Sequence, residues 1–412
     1  MIFTQTPPSL QQLAQAFQAA YDAKRYLEAS ALGLYAISLG ERQPEALYNT
    51  ACALALAGDR DRAFSVLEQA LKVGFDDAPL LKKDSDLESL RTDSRWAGIL
   101  ARTEKAAEKR RLALANPDRA PFVTDDIPRF WAAYDKAVAV PPGAQRASIF
   151  QSEYFDKATP GMKDWVRVRR ASAAGVAGFV TANPKFFAAI RPATYEIAKQ
   201  RPATVAAFRK FKALYPDAQF PASTFCIGAF YGGGTVSGRS LLMSAEMYTA
   251  TPQTPTDELG RWQKLVLTPT HDLPFIIAHE MIHFQQRYNT LDMTLLRACI
   301  QEGSADFLGE LCSGSVGQFH EREVFPYGNA HERELWERFQ QDMLRFDRQK
   351  VWLYSDSGEG KRPDDLGYFM GYKICEAYYK NAADKKQAVH DILHISDFRA
   401  FLAASRYAEK FR

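Results

Sequence analysis

Residues 272–284 read Asp-Leu-Pro-Phe-Ile-Ile-Ala-His-Glu-Met-Ile-His-Phe, with histidines at 279 and 283 and a glutamate at 280. Pro274 opens an apolar run just past Asp272, and proline is tolerated in a helix's first turn because the N–H it lacks would have no partner there, so a helix beginning near Pro274 is expected. On a helix, His279 and His283 stand at i and i+4, which stacks both imidazoles on one face, close enough to share one tetrahedral ion. Glu280 lies beside them, within reach of a water on that ion. The pattern by itself also admits a bland reading, in which one histidine caps or packs and the other is solvated, so a third ligand is required.

Eighteen residues separate His283 from Glu302, which opens Glu302-Gly303-Ser304-Ala305-Asp306-Phe307-Leu308-Gly309-Glu310-Leu311 after a helical run from Met293 to Gln301. A carboxylate from this second helix completes a site of two histidines and one glutamate and leaves a fourth position open for water. Asp306 shares the face of Glu302 at i+4 and is placed to accept the outward ring N–H of a ligating histidine. The expected cofactor is one zinc ion per chain, held by His279, His283 and Glu302, with Glu280 as general base. Among the other histidines, His271, His320, His331, His390 and His394, the last pair repeats the i, i+4 spacing but has Asp391 in place of the glutamate and no later carboxylate motif. Surface or loop positions are expected for all five.

These residues carry a resemblance. His279-Glu280-x-x-His283 followed by Glu302-x-x-x-Asp306 resembles the gluzincin clan of metallopeptidases. The wider stretch looks like bacterial families of predicted zinc-dependent proteases and gliding-motility-B-like proteins. It includes Tyr231-Gly232-Gly233-Gly234-Thr235-Val236-Ser237 and Gly367-Tyr368-Phe369-Met370-Gly371-Tyr372-Lys373-Ile374, and the likeness runs over residues 150–405. The resemblance implies a zincin-like domain and peptide or protein substrates; the G-x-M-E-N signature of the large aminopeptidases is missing. Transition-state donors in such sites are often tyrosines, and Tyr368 and Tyr372 lie on the helix-like segment 367–380, Tyr372 being the candidate. Residues 225–231 and 241–248 read as two strands around a glycine-rich turn at Gly232-Gly233-Gly234 and Gly238. The strand 241–248, ahead of the histidine-bearing helix, is the candidate edge for pairing with an extended peptide.

A chain of 412 residues exceeds the roughly 250–300 at which one core stops growing, so two units are expected. The first repeats at the 34-residue tetratricopeptide period: Leu13 and Leu47, Ala29 and Ala63, Ala36 and Ala70, Gly40 and Gly74 fall in register. The later copy has Gly58-Asp59 at its turn, the earlier one Lys24 in place of Gly58. About two repeats, with more helix from Ala97 to Ala115, make a helical buttress or a surface for a protein partner. The Asp- and Pro-rich residues 117–128 mark the boundary. The expected class is mainly α with a small β-sheet (α+β): a tetratricopeptide-like helical unit over residues 1–116, then a zincin-like metallopeptidase domain over 117–412 built around an HExxH helix. Helices are also expected over 130–139 and 204–214.

Composition excludes other classes. Net charge is +3 with basic residues spread along the chain, which argues against a nucleic-acid surface. No apolar run approaches a bilayer span, and residues 1–15 do not read as a signal peptide, so a cytoplasmic location is expected. The five cysteines, Cys52, Cys226, Cys299, Cys312 and Cys375, are widely spaced without a C-x-x-C pair and read as reduced core thiols. Two competing readings remain open. One is a zinc-containing binding protein whose helical repeat is the working surface; the other is a metal-free interaction protein.

Overall fold

The computed structural model describes residues 8–288, 291–317, 320–354 and 362–412. It divides into two units, Met1–Ala113 and Leu114–Arg412. The N-terminal residues 1–7 lie outside the described part.

Four helices of 13 residues open the first unit: α1 (Leu10–Asp22), α2 (Tyr26–Ser38), α3 (Pro44–Leu56) and α4 (Arg60–Lys72). Each helix of the second pair starts 34 residues after its counterpart in the first. The turns need left-handed backbone, and Gly58 adopts φ 84° between α3 and α4. Lys24 holds the equivalent place between α1 and α2 at φ 58°. A non-glycine residue there costs about 1–2 kcal/mol, so the earlier copy keeps the turn without the residue that favours it. Leu47, Leu54, Phe64, Leu67, Leu81 and Leu87 form the unit's core, and the helix Ser94–Ala113 closes it.

The second unit carries the sheet. The described residues are mainly helical, 69%, with one small mixed sheet of four strands among them, so the expected class, mainly α with a small β-sheet, holds. The strands are β1 (Phe122–Val123), β2 (Ala222–Cys226), β3 (Gly234–Val236) and β4 (Ser240–Ser244), in the order β1-β2-β4-β3. Residues 117–128 are therefore more than a linker, since Phe122 and Val123 pair in parallel with Ser223 and Thr224.

The strand expectations need two corrections. β2 and β4 are neighbours but parallel, and the antiparallel hairpin is β3–β4, so one of the expected turn glycines, Gly234, starts a strand. The apolar residues 227–231 leave the sheet as a buried loop whose backbone is satisfied by side chains. Ile227 N–H donates to Tyr154 Oη (2.8 Å), Phe230 N–H donates to Glu246 Oε1 (3.1 Å), and Phe230 turns the chain at φ 54°. Second, residues 241–248 are not an edge: β4 lies between β2 and β3, and 245–248 form a 3₁₀ turn. The edge is β3.

Three helices frame the site: a histidine helix (Leu273–Gln285), a glutamate helix (Leu295–Ser313) and a tyrosine helix (Leu366–Asn381). The last two touch backbone to backbone. A Cβ at Gly371 would lie 1.7 Å from the Cys299 carbonyl oxygen, and one at Gly303 would lie 2.1 Å from Tyr372 N. No single helix among the described residues is long and apolar enough to cross a membrane.

Two outcomes are expected from this packing. Gly371→Ala should lower unfolding stability in urea by about 3 kcal/mol, since the contact is rigid backbone that cannot yield; a change near zero would mean the helices can part freely. Glu246 is fully buried, its Oε2 has no hydrogen-bond partner among the described residues, and burial pushes its pKa up to about 7 from 4.5. The folded state thus holds a proton that the unfolded chain releases, a contribution fully present below pH ~4.5 and lost as pH rises through ~7. Wild-type stability should fall relative to Glu246→Gln across that window, and a constant difference between the two would exclude a protonated Glu246.

Candidate metal centre

The histidine helix begins with Pro274 in its first turn, as its sequence requires, and places His279 and His283 one turn apart. Their Nε2 atoms face each other at 3.0 Å, and Glu302 Oε2 from the glutamate helix stands 3.6 Å from the first and 3.3 Å from the second. One ligand atom from each of the three residues lies within 4.8 Å of the others. The expected ligand set is therefore brought together at one point.

Groups behind the ligands aim them. His279 Nδ1 lies 2.7 Å from Asp306 Oδ1, and His283 Nδ1 lies 2.9 Å from Gln286 Oε1. Carboxylate and amide oxygens only accept, so both rings carry their proton on Nδ1 and turn the Nε2 lone pairs inward. Gln286 is held in turn, donating to Gln301 O (2.8 Å) and Ser304 Oγ (2.9 Å). On the carboxylate, Tyr354 Oη donates to Glu302 Oε1 (2.6 Å), which leaves Oε2 to the imidazoles.

The electrostatics favour a cation at that point. Burial alone would lower the pKa of His279, but Asp306 and Glu302 hold it well above its usual value; burial also works against His283, and Glu302 outweighs it. Burial would raise Glu302, yet the two imidazoles keep it well below the ordinary carboxylate range. The pocket thus favours positive charge beside Glu302, and with both rings neutral their inward lone pairs and that carboxylate suit a divalent ion. Glu280 is different: burial raises its pKa, and His283 and His279 offset this only in part. Its carboxylate presses against β3, where a Cβ at Gly234 would lie 2.0 Å from Oε1, so any side chain there would displace the Glu280 carboxylate.

A cavity of about 650 Å³ opens over these groups, lined by β3 and its preceding glycines, by Arg169, Tyr248 and Trp262, and by Tyr354 and Tyr368. Tyr372 is not brought there. One turn beyond Tyr368, it lies at the contact with Gly303, its ring packs edge-on against Phe307 and Phe325, and its hydroxyl donates to Glu310. Tyr368 lines the cavity instead. His271 and His331 are exposed, His390 and His394 stack on each other at 4.1 Å, and the His320 side chain lies outside the described residues. All five cysteines are buried and unpaired. Cys52 sits beside Asp84 and Asp86 in the first unit, where the hydroxyls of Tyr48 and Tyr21 donate to the two carboxylates.

Asp306→Asn should weaken metal binding about 10–100-fold in chelator competition, because the amide is a poorer acceptor for the His279 N–H. Unchanged affinity would mean that Asp306 does not set the ring.

No curated protein and no solved structure matches the chain. Residues 259–396, which contain the histidine, glutamate and tyrosine helices, match the family model described as a predicted Zn-dependent protease, DUF2268.

Proposed function

We propose that the chain is a zinc-dependent peptide hydrolase in which His279, His283 and Glu302 hold the ion and Glu280 moves the proton. The observation that carries this reading is the convergence of His279 Nε2, His283 Nε2 and Glu302 Oε2 beside a buried Glu280 in a cavity bordered by a strand edge. The match of residues 259–396 to a predicted zinc-dependent protease family supports it. Zinc held there supplies Lewis-acid polarisation of a substrate carbonyl and lowers the pKa of water toward neutrality.

The chain's own residues do the rest. Glu280 accepts a proton from the attacking water on its carboxylate and delivers it to the departing amine; its burial, which favours the protonated form, suits a group that must both take and give. Asp306 and Gln286 hold the imidazole rings still, and Tyr354 keeps one oxygen of Glu302 occupied. The Tyr248 and Tyr368 rings line the cavity, where a phenol can donate to the oxygen that gains charge. β3 offers its outer edge to an extended peptide.

In the Glu280→Gln protein, zinc measured by elemental mass spectrometry should stay at about one per chain, while turnover of a peptide library falls about 10²–10⁴-fold. His279→Ala and Glu302→Ala should lose the metal. Full activity in Glu280→Gln, or wild-type protein that takes up no zinc when it is supplied, would sink the assignment.

A further inference from the structure

Hydrogen bonding within the β3–β4 hairpin fixes which backbone groups of β3 face the cavity. Ser244 N–H donates to Gly233 O and Ser237 N–H to Ser240 O, each at 2.9 Å, and the register pairs Thr235 with Leu242. Residues 233, 235 and 237 therefore turn their polar groups toward β4. Gly234 and Val236, which alternate with them, point theirs away from the sheet. A peptide lying antiparallel to β3 would bond first to Val236 and then, two of its own residues further toward its C-terminus, to Gly234.

That second step is obstructed. Arg169, at the end of the helix Pro160–Arg169, donates from Nη2 to Gly234 O, the carbonyl the peptide would need. The guanidinium lies flat against the preceding turn, where a Cβ at Gly232 would come within 2.7 Å of Cζ and 2.8 Å of Nη1. Glu280 presses on Gly234 from the same region. The ladder thus ends at a fixed cation next to the proton-transferring carboxylate.

Arg169 is also the one arginine or lysine among the described lining residues, whose other formal charges are Glu280, Glu302 and Asp365. It lies near enough to Glu280 to lower that carboxyl's pKa, but its Nε has no hydrogen-bond partner among the described residues. A guanidinium holds five N–H donors in a planar fork matched to a carboxylate, and a half-buried one with a buried donor left over is a site for one.

We infer that Arg169 receives the free α-carboxylate of the substrate's C-terminus, so that the enzyme cleaves peptides close to that end. This rests on the hydrolase reading above, and the direction of the peptide follows from antiparallel addition to β3. Arg169 would be a specificity-determining residue. The bond broken remains an amide, with water's oxygen going to the carbonyl carbon and its proton to the amine.

The test uses one library of fluorescent random octapeptides made twice, as free acids and as C-terminal amides. Retention of each library on immobilised, zinc-loaded Glu280→Gln protein is measured, and products released by wild type are read by mass spectrometry. Free acids should be retained and cleaved at least about tenfold better than amides, which corresponds to a charge-assisted pair, with short C-terminal fragments among the products. The retention difference should vanish in Arg169→Gln/Glu280→Gln and return in part with Arg169→Lys. Zinc content and melting temperature show whether these variants are intact; if they are not, the comparison of acids with amides on unaltered Arg169 still decides. Equal cleavage of both libraries by wild type would overturn the carboxylate assignment and leave the hydrolase standing. Preferential retention of acids without any turnover would do the reverse.

Discussion

Glu302 must be carried on one helix to within 3.6 Å of imidazole nitrogens on another, and the second unit is arranged around that demand. The glutamate helix is fixed against its other neighbour by a contact without side chains: Gly303 faces the Tyr372 N–H, and Gly371 faces the Cys299 carbonyl. A methyl group at either glycine would have to be absorbed by moving a helix axis. The carboxylate that joins two histidines is thus positioned by two residues that have no side chain. The same approach explains the two tyrosines. Tyr368 lies before the contact with Gly303 and reaches the cavity; Tyr372 lies at it and is turned into aromatic packing.

The glycine segment 232–234 solves a second spatial problem. Glu280 lies so close to β3 that a Cβ at Gly234 would force its carboxylate to move. Gly233 accepts from Ser244 and so belongs to the hairpin, while Gly232, at φ 130°, gives its open face to Arg169. Three consecutive glycines that read as a turn are three separate close approaches: to a carboxylate, to the Tyr248 hydroxyl and to a guanidinium. The loop that precedes them is held by Glu246, whose own burial is the price of fixing Phe230.

How much of this could be read from the sequence follows from the range of each interaction. The histidine spacing, the proline at the helix start and the i+4 relation of Glu302 to Asp306 are local, and the helical period alone predicts which of them share a face. The 34-residue recurrence of the first unit is local in the same sense, and it survives even where Lys24 replaces the glycine. Gln286, three residues past His283, could have been found by the same arithmetic. Arg169 and Tyr354 could not, because each comes from a segment with no motif of its own and meets the site only through tertiary packing. The sheet failed for a related reason. Alternation and turn residues suggest strands, but the parallel pairing of β2 with β4 depends on a loop held by Tyr154 and Glu246, which lie 73 and 16 residues from their backbone partners.

Burying so many acids in one unit has a consequence for the balance between stability and function. Glu246, Glu280, Glu302 and Asp306 are each at most 7% exposed, and an unpaired buried carboxylate costs several kcal/mol. Each is relieved in a different way. Glu246 is relieved by protonation and Asp306 by the His279 N–H, while Glu302 depends on two rings that are themselves buried and would be neutral in an apolar site. A divalent ion at that point would remove the conflict, since it would let both histidines stay neutral and Glu302 stay ionised. Glu280 alone gains little from this, because it is not a ligand, and its burial keeps its proton affinity high. The arrangement therefore separates three groups suited to holding a cation from one suited to carrying a proton.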